Sequence, residues 1–395
     1  MKILMIAPTP FFADRGCHVR IYEEIQSLQR MGHKVKLVTY HLGSTPKGVK
    51  VVRIPKIFFW YKKLEAGPSW WKPLLDFVLL IQAAIVYKSE KFDLIHAHLH
   101  EGALIGYLIR FLKIKKVPLV FDFQGSLTGE LLAHHFIREH KNLHGFFKLI
   151  EKIVNNMPDY IITSSMGSFD LLINEFKISK NKIKYIRDGV GRGFYKIPTK
   201  EKSLSLRKKL GILEKQKVIF FMGVLSEYQG LDILLNSASE IVKTNKNVHF
   251  LIVGYPNVEM YKDRASKLGL NDFVTFTGRI PYLETHKYIG LGDIAVSPKI
   301  SKTEANGKLY YYAAAGIVPV IFDSPVNKEI LGNLGIYAKF NNNKDYTRKL
   351  RYAITHDKEI LQISKDLKNK AKKDFAWDRS AKDINNIYKL LINKK

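Results

Sequence analysis

The sequence predicts an α/β protein of two doubly wound, Rossmann-like domains facing each other across a cleft. Three observations carry this expectation. Apolar runs of strand length alternate with helically spaced segments along the chain, one polar, lysine-rich stretch interrupts the alternation near the middle, and the loops rich in glycine, charge or histidine follow strands. At 395 residues the chain also exceeds what one hydrophobic core usually supports.

The first run, KILMIAP, reads as a strand. VRIYEEIQSLQRMG places apolar residues at 19, 21, 25, 28 and 31, the spacing of one helix face, with Gly32 as its end, and KVKLVTY returns to strand. Such a βαβ unit implies parallel strands. FDLIHAH, VPLVFDF, DYIITSS and KIKYIRDGV continue the series. GFYKIPTKEKSLS, which carries Pro198, reads as the linker, so the first domain is expected over residues 1–196 and the second over 197–375. KVIFFMGV, VHFLIVGY, FVTFTGR, DIAVSPK and VPVIF form the second series, and a helix over 376–395 is expected to pack back on the first domain. Open sheets of this kind bind ligands at the carboxyl ends of their strands, where strand order reverses.

A single cysteine, Cys17, excludes an intramolecular disulfide and fits a reducing compartment. MKILMIAPTP has no small-residue cleavage site after its apolar run and reads as a strand, not a signal peptide. LLDFVLLIQAAIVY carries Asp76 and Gln82 and falls short of the ~20 residues that span a bilayer. A cytoplasmic protein, with membrane association open, is the expectation. The net charge of +28 divides almost evenly between the halves. That argues against a nucleic-acid module with one basic stripe, and suits either a generally lysine-rich composition or attraction to anionic lipid and phosphorylated substrates.

The loops PTPFFADRGCH, HAH at 96–98, VFDFQGS at 120–126, RDGVGRGFY at 187–195, MGVLSEYQGLDILL, VGYPN, FTGRIPY and SKTEANGKLYYYAAAGIVPVIF occur in order, before the tail FAWDRSAKDINNIYKLL. Together they resemble retaining GT-B glycosyltransferases of the family-4 (group 1) type over essentially the whole chain. The resemblance implies transfer of a sugar from a nucleotide-diphosphate sugar, held by the second domain, to an acceptor hydroxyl with retention. It implies no cofactor and no bound metal, with helix dipoles and cations meeting the diphosphate.

Carried onto this chain, the resemblance puts Gly16 beside the donor phosphates and makes Arg15 the nearby group pointing into the cleft. His18 and Arg20 fit a solvated helix face equally well. His98, with His100 and Glu101, is expected nearer the cleft than His96. Gln124 stands where the family has a histidine. An amide cannot carry a proton, so acid or base duty is excluded there, which a mechanism using the leaving phosphate as base tolerates. After Gly223, the family's clamping arginine and lysine are replaced by Val224 and Gln229. Lys299, Lys302, Lys308, Arg192 and Arg279 are candidate substitutes, with Lys308 foremost.

The family's first paired glutamate aligns with Glu304, and the second with Tyr312. The alternative register gives Thr303 and Tyr311. Glu304 is expected to hold the donor sugar's hydroxyls, with Asn306, Gly307 and one tyrosine at the ribose. Ser126 and Glu130, with His134 on the same helix face, are acceptor-side candidates, although Ser126 and Thr128 equally suit a helix cap. Residues 56–77 interleave Phe58, Phe59, Trp60, Trp70 and Trp71 with lysines, which suits a membrane interface or a core cap and tilts the acceptor towards a lipid or lipid-linked glycan. The alternatives are a lipid-phosphate sugar donor, suggested by Val224 and Gln229, and a non-catalytic scaffold of the same fold.

Overall fold

The computed structural model describes residues 1–13, 16–57, 59–64, 69–114, 116–133, 141–196, 200–300 and 306–393. The chain forms two compact units, Met1–Asp188 with Trp377–Lys395, and Gly189–Ala376.

The first unit runs β1 Lys2–Ala7, α1 Gly16–Arg30, β2 Lys34–Thr39, β3 Lys50–Arg53, α2 Lys72–Ser89, β4 Leu94–His98, α3 Leu99–Ile109, β5 Leu119–Phe123, α4 Leu127–Ala133, α5 Lys141–Asn156, β6 Tyr160–Thr163, α6 Met166–Asn174 and β7 Ile183–Tyr185. All seven strands pair parallel, in the order β3-β2-β1-β4-β5-β6-β7. Helices cover both faces, so central strands such as β4 and β5 are buried at every residue and read as near-continuous apolar runs. The few polar residues inside those runs, His96, His98 and Asp122, are therefore conspicuous.

The second unit runs α7 Lys200–Lys209, β8 Lys217–Met222, α8 Leu231–Val242, β9 Val248–Val253, α9 Val258–Lys267, β10 Val274–Gly278, α10 Tyr282–Ile289, β11 Ile294–Ser297, α11 Lys308–Ala315, β12 Val318–Phe322, α12 Pro325–Leu331, β13 Ile336–Ala338, α13 Asn343–Thr355 and α14 Asp357–Asp374. Its six strands are also parallel, in the order β10-β9-β8-β11-β12-β13.

The last helix, α15 Trp377–Asn393, belongs to the first unit and packs along α1. Arg30 pairs with Asp378 at 2.8 Å, and His33 Nε2 meets Asn385 Oδ1 at 2.9 Å. With the sheet on one side and α15 on the other, α1 buries more than its apolar stripe, including His18, Arg20, Glu23 and Glu24. The division between units falls after Asp188, earlier than the polar stretch suggested. Phe194, inside that stretch, is buried in the second unit, its ring centroid 4.7 Å from Tyr311 and 5.2 Å from Tyr282, and KEKSLS is helical in α7.

Candidate active site

In the first unit, strand order reverses between β1 and β4, which places the crevice at the carboxyl ends of β1, β4 and β5. The loop after β1 is tied down from within. Ala13 N–H donates to His18 Nδ1 at 3.0 Å, so Nε2 carries the ring hydrogen and donates to Thr9 Oγ1 at 2.5 Å. His18 is a buried tie for this loop and not a residue of a solvated face. Gly16 is exposed, and a Cβ there would meet nothing within 4 Å, which leaves its approach open. Arg15 lies outside the described residues.

Arg20 is likewise buried, at 3% exposure, and centres a charge network. Its Nε and Nη2 donate to the Asp122 carboxylate at 2.8 and 2.9 Å, and its Nη1 donates to Asp188 at 2.6 Å. Burial opposes the guanidinium charge, but Asp122, Glu24 and Asp188 outweigh it. Burial opposes the Asp122 carboxylate too, yet Arg20 and His98 hold it well below the usual carboxylate range. His98 Nδ1 lies 3.1 Å from Asp122 Oδ2, and Gln124 Nε2 donates to the same oxygen at 2.8 Å. Gln124 therefore sits on a charged network as a positioning amide, while its Oε1 has no partner among the described residues.

Glu24, one turn after Arg20, is fully buried with its Oε1 3.3 Å from Arg20 Nε. Burial and the nearby Asp122 push its carboxyl well above the usual range. Burial pushes His96 well below the ordinary histidine value, and its Nδ1 meets Tyr388 Oη at 2.5 Å. Glu24, His96, His98 and Asp122 each offer a metal-binding atom within 4.8 Å of the others.

The acceptor-side expectations divide. Glu101 pairs with Lys72 of α2, and beside them Asp76 accepts from Tyr40 Oη. Burial and the Glu101 charge push Asp76 up to about 7. His100 is buried between Phe121 and Phe123, away from the role foreseen for it. Ser126 is a helix cap: its Oγ accepts from Gly129 N–H at 3.0 Å and donates to buried Glu151 at 3.1 Å, which also takes the Thr128 N–H. Its oxygen is committed to α4 and not to an acceptor. Glu130 is exposed on α4, and His134 and Phe58 lie outside the described residues.

In the second unit the reversal lies between β8 and β11. Gly223 follows β8 with φ +147°, and a Cβ on it would stand 3.0 Å from Lys308 Nζ. The backbones at the ends of β8 and β9 approach so closely that a Cβ on Gly254 would meet the Gly223 carbonyl oxygen at 1.9 Å. Lys308 reaches back from the start of α11 to this point, donates to Gln229 Oε1 at 2.7 Å and lies 4.3 Å from the Phe221 ring centroid. One ammonium thus occupies the region from which Val224 and Gln229 removed two charges. Gly307 caps α11 from the αR region, and Lys299 is buried 5.9 Å from the Tyr228 ring.

Other donor-side expectations are corrected. Tyr312 is fully buried, its Oη accepting from Met222 N–H at 3.0 Å, so it fastens β8 to α11 and offers nothing to a ribose. Asn306 is buried with its amide donating to Asn327 at 2.9 Å and to Ser297 at 3.2 Å, so its donors are spent inside the unit. Tyr311 is half-buried with Phe194 and Tyr282 and is the one of the pair that keeps some exposure. Arg279 is exposed after edge strand β10, 5.2 Å from the Tyr255 ring and two strands from the reversal, and Arg192 is exposed on a short 3-10 turn. Glu304, Thr303 and Lys302 lie outside the described residues.

The family model for glycosyl transferases group 1 matches residues 203–374, and that for Glycosyltransferase Family 4 matches residues 15–191. The chain is a family-4, group 1 glycosyltransferase. The enzyme is 25% identical over 343 residues to alpha-monoglucosyldiacylglycerol synthase of Streptococcus pneumoniae, covering 81% of the enzyme and 70% of that protein. It is 21% identical over 312 residues to D-inositol 3-phosphate glycosyltransferase of Corynebacterium aurimucosum, covering 75% and 71% of the two chains. In fold it matches Anabaena HepE, solved in complex with UDP and glucose, with a TM-score of 0.75 at 16% identity over 98% of the enzyme and 99% of that chain. The GT-B architecture expected from the sequence is thus present as two parallel sheets.

In this glycosyltransferase the structure gathers Gly223, Gln229 and Lys308 at one strand-end crevice, and His98 and Gln124 at the other. Sequence reasoning missed Arg20, Glu24 and Asp122 as a unit. Two signals pointed to them: an Arg–Glu pair at i,i+4 on the buried side of α1, and a lone aspartate inside VPLVFDF.

Proposed function

We propose that the enzyme moves a sugar from a nucleoside diphosphate sugar to the hydroxyl of a lipid or lipid-linked acceptor, with retention, at an anionic membrane surface. The Lys308 ammonium beside Gly223 carries the donor half of this reading. A cation at the end of the first strand of the unit, next to a residue without a side chain, meets a diphosphate at close range. HepE, a fold neighbour, was solved with UDP, which supports the same donor class. In the first unit, Gln124 Oε1 can accept from an acceptor hydroxyl but cannot take its proton. That supports a leaving phosphate oxygen as the base: it takes the proton while the hydroxyl oxygen bonds to the anomeric carbon and the bond to phosphate breaks on the same face.

The acceptor half rests on the outer surface of the first unit. Leu74, Phe77, Ile81 and Ile85 form a stripe on α2, each between 46% and 62% exposed, while Leu75, Leu79 and Ala83 face the core. Helices α2, α3 and α5 pack side by side, and α3 and α5 add exposed Leu108, Phe146 and Leu149. Trp70, 82% exposed, stands just before α2. Among the described residues no helix is long and apolar enough to cross a membrane, so this surface suits lying on one. One relative is named for a diacylglycerol glycolipid, which supports a lipid acceptor. In vesicle flotation the protein should rise with anionic liposomes and much less with neutral ones. The double variant Phe77→Glu with Ile81→Glu should stay at the bottom while remaining folded; its undiminished flotation would refute the membrane reading.

A further inference from the structure

Asp122 is fully buried on β5, and its carboxylate is held from three sides. Its Oδ2 accepts from Arg20 Nε at 2.8 Å, from Gln124 Nε2 at 2.8 Å and from His98 Nδ1 at 3.1 Å, while its Oδ1 accepts from Arg20 Nη2 at 2.9 Å. Two N–H groups of one guanidinium fork onto the two oxygens, so the carboxylate cannot turn. Asp122 and Gln124 are two residues apart at the end of an extended run, which carries both side chains to the same side of the sheet. We infer that Asp122 is a positioning residue for transfer: it locks the Gln124 amide with its carbonyl oxygen turned towards a substrate hydroxyl, and acts only through Gln124.

The orientation follows from what each group can donate. Arg20 and His98 keep Asp122 ionised, so it has no hydrogen to give. Turned over, the Gln124 amide would press its carbonyl oxygen against a carboxylate oxygen, two acceptors at hydrogen-bond distance inside the protein, where repulsion is poorly screened. His98 Nδ1 also carries a hydrogen for Asp122, so its 3.3 Å approach to Gln124 Nε2 is that of two donors converging on one oxygen. Oε1 is the end left over. Gln124 directly follows β5, at the carboxyl end where the crevice lies, with exposed Gly125 beside it. Oε1 has no partner among the described residues, and a shielded acceptor without a donor costs free energy that a ligand hydroxyl recovers. The inference rests on the transfer reaction proposed for the enzyme and adds the residue that sets the direction of one substrate hydrogen bond.

Gln124→Glu in the full chain tests this while leaving the Arg20–Asp122 pair in place. Ionised, the introduced carboxylate meets Asp122 acceptor to acceptor; protonated, it donates to Asp122 Oδ2 and again presents a carbonyl oxygen, as the amide does. The charged and titratable groups around it are Asp122, His98 of β4 and Arg20 of α1, with Glu24 and Asp188 beyond Arg20. Transfer relative to the parent chain should be down at least about tenfold at about pH 8 and should climb back as the pH falls to about 5.5, whereas Gln124→Met should stay low throughout. Followed by NMR, which needs no turnover, the introduced carboxyl should titrate above the ordinary value of about 4.3, and adding Asp122→Asn should lower that titration by about one pH unit or more. The inference is overturned if the activity of Gln124→Glu relative to the parent is the same at both pH values, if its carboxyl titrates at or below the ordinary value, or if Asp122→Asn leaves that titration where it was. A parent chain that transfers nothing refutes the proposed reaction instead, and the titration alone then decides how the amide is held.

Discussion

Lys308→Met removes one positive charge from the donor crevice while keeping an unbranched side chain of similar length. In the structure that ammonium is held by Gln229 Oε1 at 2.7 Å and by the face of Phe221 at 4.3 Å, so it is already aimed before any ligand arrives. At about 4 Å and an effective dielectric of about 20, an ammonium and one phosphate charge attract by about 4 kcal/mol. Desolvation returns part of that, and a charge-assisted hydrogen bond nets about 1.5–3 kcal/mol. Lys308→Met should therefore weaken nucleoside diphosphate binding by about 10- to 150-fold. Calorimetry with UDP, GDP and ADP measures it, with the matching nucleosides as controls that should lose almost nothing. Unchanged diphosphate affinity in Lys308→Met would refute the reasoning and return the phosphate site to other residues.

The remaining predictions concern the groups that hold the two crevices. Arg20→Met leaves Asp122 buried without its cation and should cost about 3–5 kcal/mol in chemical denaturation; Arg20→Lys should recover little of it, because an ammonium cannot reproduce the paired contact. Tyr312→Phe strands the Met222 N–H and should cost about 1–3 kcal/mol of stability with no change in nucleotide affinity, whereas a ribose role would show as weaker binding. Asp76 is raised from 3.8 to about 7, so the folded state binds its proton more tightly than the unfolded state does. Its contribution is full below about pH 4 and is lost as pH rises through 7. Asp76→Asn should flatten that decline in a pH series of melting curves; an unaltered decline would show that another group causes it.

The strands were legible because parallel strands buried on both faces leave uninterrupted apolar runs, as in VPLVFDF and VHFLIV. The placement of Lys308 beside Gly223 and Gln229 was legible because its position at the head of α11 brings it to the strand ends. The tyrosine triplet was not, because successive helical residues diverge by about 100°. Tyr310 packs on Phe375, Tyr311 on Phe194, and Tyr312 turns inward to Met222, and only tertiary packing decides which is which. Arg20 and Glu24 were hidden for a related reason. On an isolated helix they read as an exposed ion pair, and what they face inside the fold, Asp122 of β5 and His96 and His98 of β4, is distant in sequence. The linker was misplaced because Phe194, inside a lysine-rich stretch, anchors it to the second unit.

The most direct test of the central claim is a transfer reaction with the full chain, nucleotide sugars and anionic vesicles containing diacylglycerol or phosphatidylinositol. Released nucleoside diphosphate is followed alongside the anomeric configuration of the glycolipid. The account predicts stoichiometric release and a glycosidic bond with the donor's configuration. Absence of turnover with every nucleotide sugar, or a product of inverted configuration, would contradict it.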